Sequence, residues 1–240
     1  MKKIPFKAAF EVLQDREAFF DKINKGVSGK ELILAQVLLM ALFTFFYGLI
    51  MGSYNSWQQS LLTGVKLWVL LLTTLIICLP SFYIVQLVLG SKITLKQLVL
   101  ILLSGFVMTT TIMLAFAPIV LFFQLSGDNY NFLKLLHVFV FVFSGFFGMR
   151  VVLEALKSAF ENEQVYPKIG LTVFRIWVVI FAFVGIQLSW NLRPFVGSKD
   201  LQFQLFRTET KGNFYSAIFG SIGEMFEPKL SKEESTESNQ

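Results

Sequence analysis

One cysteine and one histidine occur in the 240 residues, and that scarcity removes several chemistries. Cys78 has no second thiol to pair with, so an intrachain disulfide framework is excluded. His137 and Cys78 lie in different hydrophobic runs and together fall short of the four ligands that a structural zinc takes. Charge is sparse as well, at 15% of residues, and none of the sixteen Asp and Glu falls in the centre of a hydrophobic run. Proton relays and ion-coupled pumps depend on ionisable groups at such positions. HExxH, GxSxG and Walker-type motifs are missing, and no carboxylate pair can face one site. The expectation is a protein that is not an enzyme and holds neither cofactor nor metal. Its net charge of +5 is scattered over ends and loops, so no nucleic-acid partner is expected.

What the chain has is hydrophobic length. It is 55% hydrophobic, with 28 Phe, and Leu67–Leu89 runs without a charge from Lys66 to Gly90-Ser91-Lys92. As a helix that run reaches roughly 34 Å, enough to cross a hydrocarbon core of about 30 Å. Similar runs occupy 32–52, 98–125, 132–153 and 171–190. The fold class expected is an all-α integral membrane protein: a five-helix transmembrane bundle in the lipid bilayer, with amphipathic interfacial helices at both ends. Pro80 and Pro118 should kink their spans, because each removes a helical hydrogen bond. Thr44, Gly48 and Gly52 recur at four-residue steps, a small-residue seam for close helix packing. The seam's occupant is another span or, in a homo-oligomer, a second copy. Ser144 and Gly148 repeat the pattern, and Arg150 and Glu154 are spaced to pair or snorkel.

The ends read differently. Residues 1–31 carry seven basic and five acidic residues among Phe6, Ala9, Phe10, Leu13, Phe19, Phe20 and Ile23. That spacing predicts one amphipathic helix at the cytoplasmic interface, with Lys2, Lys3 and Lys7 near anionic lipid. Phe6, Phe10, Leu13, Phe19 and Phe20 form its candidate partner surface. Residues 53–66 read as a polar outer loop, where Tyr54, Asn55, Trp57, Gln58 and Gln59 are a candidate ligand surface. Beyond the spans, 191–228 reads as a C-terminal interfacial segment with a short strand at Leu201–Phe206 and a helix at Asn213–Phe226. The tail, 229–240, should be disordered. The connections expected to face the cytoplasm carry six basic residues (Lys92, Lys96, Arg150, Lys157, Lys168, Arg175), against Lys66 and Lys134 outside. That bias puts the N-terminus in the cytoplasm.

The VLQDREAFFDKINKG stretch at 12–26, the GSKITLKQ turn and the pattern of spans from Leu32 to Trp190 give the chain a resemblance to the Yip1-like five-span membrane proteins, chiefly those of the bacterial inner membrane. The resemblance implies a cytosolic N-terminal region ahead of five clustered spans. The DLYGP-type signature of the eukaryotic members has no match, so their trafficking role and GTPase partners do not carry over. The function expected is a non-enzymatic multi-pass protein that organises or recruits partners, other membrane proteins among them. The competing expectation is a passive or facilitative small-molecule transporter, its path near Pro80, Pro118 and Thr109–Thr111.

Overall fold

The computed structural model describes residues 6–25, 29–127, 129–163, 167–197, 205–206 and 214–226. They form the helices α1 (Phe6–Gln14), α2 (Arg16–Asn24), α3 (Lys30–Gly52), α4 (Trp57–Val88), α5 (Leu95–Ser126), α6 (Tyr130–Glu163), α7 (Pro167–Asn191) and α8 (Phe214–Phe226). No strand occurs among the described residues. Five of these helices, α3 to α7, are long and apolar enough to cross a membrane. The fold is an all-α membrane bundle, and the protein is a multi-pass membrane protein in contact with lipid.

Several boundaries differ from the sequence expectation (α6 runs ten residues past 153), and two of them have a local reason. The N-terminal stretch is two helices rather than one, because Asp15 leaves helical geometry and caps α2 by accepting from the Ala18 N–H at 3.1 Å. The polar stretch 53–66 is a loop only up to Ser56. Its hydroxyl accepts from the Gln59 N–H at 3.2 Å, so α4 starts ten residues before the apolar run. At the α4–α5 turn Gly90 takes φ +82, and Thr94 and Gln97 form a reciprocal capping box that opens α5. The strand expected at 201–206 falls largely outside the described residues, as do the tail and Lys2 and Lys3.

α5 is the axis of the bundle. In its most apolar window 67% of residues are buried, against 28% for α4 and 17% for α7. α3 and α6 pack on α5, α4 lies on α3, α7 rests on α4 and α6, and α8 lies against α6. Two crossings bring backbones together. Gly48 and Gly52 of α3 face Gly64, Gln59 and Ser60 of α4, and Gly105 of α5 faces Gly148 of α6. The small-residue seam is thus filled by this chain's own α4. The side chains left outside (Ile76, Ile84, Phe122, Val142, Phe146, Val179) are apolar and face lipid. Pro80 and Pro118 sit on that exposed side of helices that continue through them. Two residues before Pro80, the Cys78 carbonyl accepts from the Ser81 hydroxyl at 2.8 Å and from the Trp177 indole at 3.0 Å.

Candidate functional site

The bundle has two ends, and polar side chains collect at both. At the end where α5 begins, α1 and α2 form an elbow seated on the spans. Ala9, Val12, Phe19, Phe20 and Ile23 are buried there in one apolar cluster with Leu39, Leu98, Leu102 and Val152. The Gln97 amide donates to the Ile23 and Asn24 carbonyls at 3.2 and 3.4 Å. Asn24 reaches the Ser158 hydroxyl at 3.4 Å, and Arg16 pairs with Glu154 at 3.3 Å. This corrects the candidate partner surface: Phe19 and Phe20 are the hydrophobic anchors of the elbow on its own bundle, because α5 and α6 supply the apolar cover that a partner would have given. Leu13 is half-buried against the same cluster, and Phe10 is exposed with its ring 6.2 Å from that of Phe43. Phe6 heads α1, but its side chain is outside the described residues. The Arg150–Glu154 pairing is replaced as well: Glu154 turns to Arg16, and Arg150 lies over the Phe146 ring. What α2 presents outward is mainly polar: Arg16, Glu17, Asp21, Lys22 and Lys25.

At the other end, the first turns of α4 carry Gln59, Thr63 and Lys66 on one face, at helical spacing of four and three. All three are buried, Lys66 with 4% of its surface exposed. Each donates to the irregular backbone that follows α7. The Gln59 amide reaches the Pro194 carbonyl at 2.8 Å, and the Thr63 hydroxyl reaches the Phe195 carbonyl at 2.7 Å. The Lys66 ammonium reaches the Pro194 carbonyl at 3.2 Å and the Leu205 carbonyl at 2.5 Å, with the Phe206 ring 5.0 Å away. The outer-loop surface expected from the sequence is therefore split. Gln59 is buried under this segment, Tyr54 is buried and stacked on Tyr130, and Asn55 packs on Gly197 (φ +67). Trp57 and Gln58 alone stay exposed.

Between the ends, Tyr47 and His137 make a buried pair. The Tyr47 hydroxyl lies 2.9 Å from His137 Nδ1, and the rings stand nearly perpendicular. His137 Nε2 is buried with no hydrogen-bond partner among the described residues, as are Ser144 Oγ and both amide atoms of Gln86. The Gln36 amide donates to the Ser104 hydroxyl at 3.0 Å. Thr109, Thr110 and Thr111 turn their hydroxyls back onto carbonyls of α5 itself, at 2.9, 3.1 and 2.7 Å. Thr109 also fills the contact against Gly148. Tyr47 and His137 set a hydroxyl beside a base, but both are buried, and no group of three metal-ligating side chains exists among the described residues. Sequence reasoning passed over Lys66 as a span boundary, although the Gln59, Thr63, Lys66 periodicity was there to be seen.

No family model matches the chain, and neither does any curated protein or solved structure. The functional argument therefore rests on the geometry of these groups.

Proposed function

We propose that this protein is a non-enzymatic membrane organiser that recruits partners at the cytoplasmic face of a bacterial inner membrane, as the Yip1-like resemblance suggests. The observation that carries the reading is the seating of the α1–α2 elbow. Its apolar side is packed on α3, α5 and α6, and α2 holds out a fixed polar platform of Arg16, Glu17, Asp21, Lys22 and Lys25. A pre-ordered surface loses little conformational entropy on binding, which favours recognition of a partner. The threonines that would line a transport path instead satisfy their own helix. The basic residues of the connections favour a cytoplasmic N-terminus, and on that reading the elbow lies on the cytoplasmic side.

The test is a photo-crosslinking residue at Glu17 in cells, beside one at the lipid-facing Leu125. A recurrent protein adduct at Glu17 and none at Leu125 supports the organiser. Saturable solute flux through proteoliposomes of the pure protein would replace it with the carrier reading.

A further inference from the structure

Three helices carry a lipid-facing apolar stripe that ends in a cation. On α3, Leu34, Leu38 and Leu42 are exposed at four-residue steps, and Lys30 is exposed one turn before Leu34. On α7, Val179 and Phe183 follow the exposed Arg175 at the same steps. On α6 the order is reversed, since that helix runs the other way. There Phe139, Val142 and Phe146 lead to Arg150, whose guanidinium lies 5.8 Å from the centre of the Phe146 ring. The Gln36–Ser104 hydrogen bond, the Gly105–Gly148 crossing and the Phe82–Phe174 ring contact at 5.4 Å bring all three cations towards the end where α5 begins. None of the three forms an ion pair among the described residues.

We propose that Lys30, Arg150 and Arg175 hold the headgroups of anionic phospholipids, with acyl chains laid along the stripe beside each cation. An exposed cation alone would serve any anion. What selects a lipid is the apolar run that starts one turn away, because a charged headgroup on acyl chains needs both surfaces in that order. The two guanidinium groups suit a phosphate further, since each can meet two of its oxygens at once. Lys30 meets it as a point charge. The cations stand on three different helices, so they form a rim around the bundle at one membrane surface and not a single pocket.

The experiment offers the purified full chain phosphatidylglycerol or phosphatidylcholine with the same acyl chains, and counts retained lipid by native mass spectrometry. The unaltered chain should prefer phosphatidylglycerol by roughly fivefold or more, the increment of one basic residue at a charged surface. Lys30→Gln, Arg150→Gln and Arg175→Gln together should bring that ratio close to one and leave phosphatidylcholine retention unchanged, which also reports that the variant is folded. Arg175→Gln alone, on the least buried span, should lower the ratio part of the way. Arg16→Gln, Lys22→Gln and Lys25→Gln together strip as much charge from α2 and should keep the preference. Inorganic phosphate at the same concentration should displace neither lipid. Equal retention of the two lipids by the unaltered chain overturns the proposal, as does a preference that survives loss of the three rim cations. An equal fall in the α2 variant would mean that net charge selects the lipid, and displacement by inorganic phosphate would mean an ion site only. Either result overturns the rim as well.

Discussion

Gly64 of α4 occupies the space into which a side chain on Gly48 of α3 would project: a Cβ built on Gly48 stands 2.5 Å from the Gly64 Cα and 2.9 Å from the Thr63 carbonyl carbon. The obstacle is backbone, so it cannot move aside as a rotamer would. Gly48→Leu should lower stability by at least the roughly 1–3 kcal/mol typical of overpacked cores. Leu49→Ile, one residue away on a half-buried position, should cost less than about 1.5 kcal/mol. Thermal unfolding in detergent separates the two. Equal melting temperatures would mean that α3 and α4 are not in contact there.

The Tyr47–His137 pair gives a double-mutant cycle. Tyr47→Phe strips the Nδ1 of its partner in a ring whose Nε2 already has none. The expected cost is about 1–3 kcal/mol, the price of an unsatisfied buried polar group. Combining it with His137→Leu should recover part of that loss, since no polar atom is then left stranded. Strict additivity in chemical denaturation would argue that the two side chains do not interact.

For the elbow, burial outranks charge. Arg16 and Glu154 are 42% and 54% exposed, so Glu154→Gln should change stability by no more than about 1 kcal/mol. Phe20→Asp places a carboxylate where 5% of the side chain is exposed and should unseat α2. Phe10→Asp changes an exposed ring and should leave the elbow docked. Limited proteolysis of the N-terminal segment measures this directly. Matching cleavage of the two Asp variants would contradict the seating of α2.

Thr109→Val with Thr110→Val removes only hydroxyls bonded to α5 itself. The pair should insert and fold with a loss under about 1 kcal/mol per site, because such bonds contribute modestly. A cellular defect with normal insertion and stability would point to a path along α5 and against the organiser.

Uncharged length and polar breaks were enough to place the spans, since a lipid-crossing helix has to satisfy its backbone internally and show apolar side chains. Their ranking was not legible in the same way. Leu67–Leu89 and the α5 run are equally apolar, because lipid and protein interior demand the same side chains. What sets α5 apart is its small residues, Ser104, Gly105, Thr109, Thr110 and Ala117, all buried. Helix starts were missed where the signal was polar. Ser56 and the Thr94–Gln97 box were readable as caps, but a polar stretch between apolar runs resembles a loop by composition alone. Lys66 was missed for a related reason: a lysine at the edge of a run suggests water, and only the folded chain brings carbonyls from more than a hundred residues away to meet it.

The seat of the elbow sets an order of events during synthesis. Arg16 and Glu154 are 138 residues apart in the chain, and Asn24 and Ser158 are 134 apart. At about 5–20 residues per second, roughly 7 to 28 s pass between the making of α2 and the arrival of its docking site. α5, whose Gln97 bonds the Ile23 and Asn24 carbonyls from 74 and 73 residues away, arrives partway through that interval, and α6 completes the burial of Phe19, Phe20 and Ile23. The seat of the elbow is thus complete only once the fourth span is made, so its docking follows the synthesis of the bundle and does not lead it.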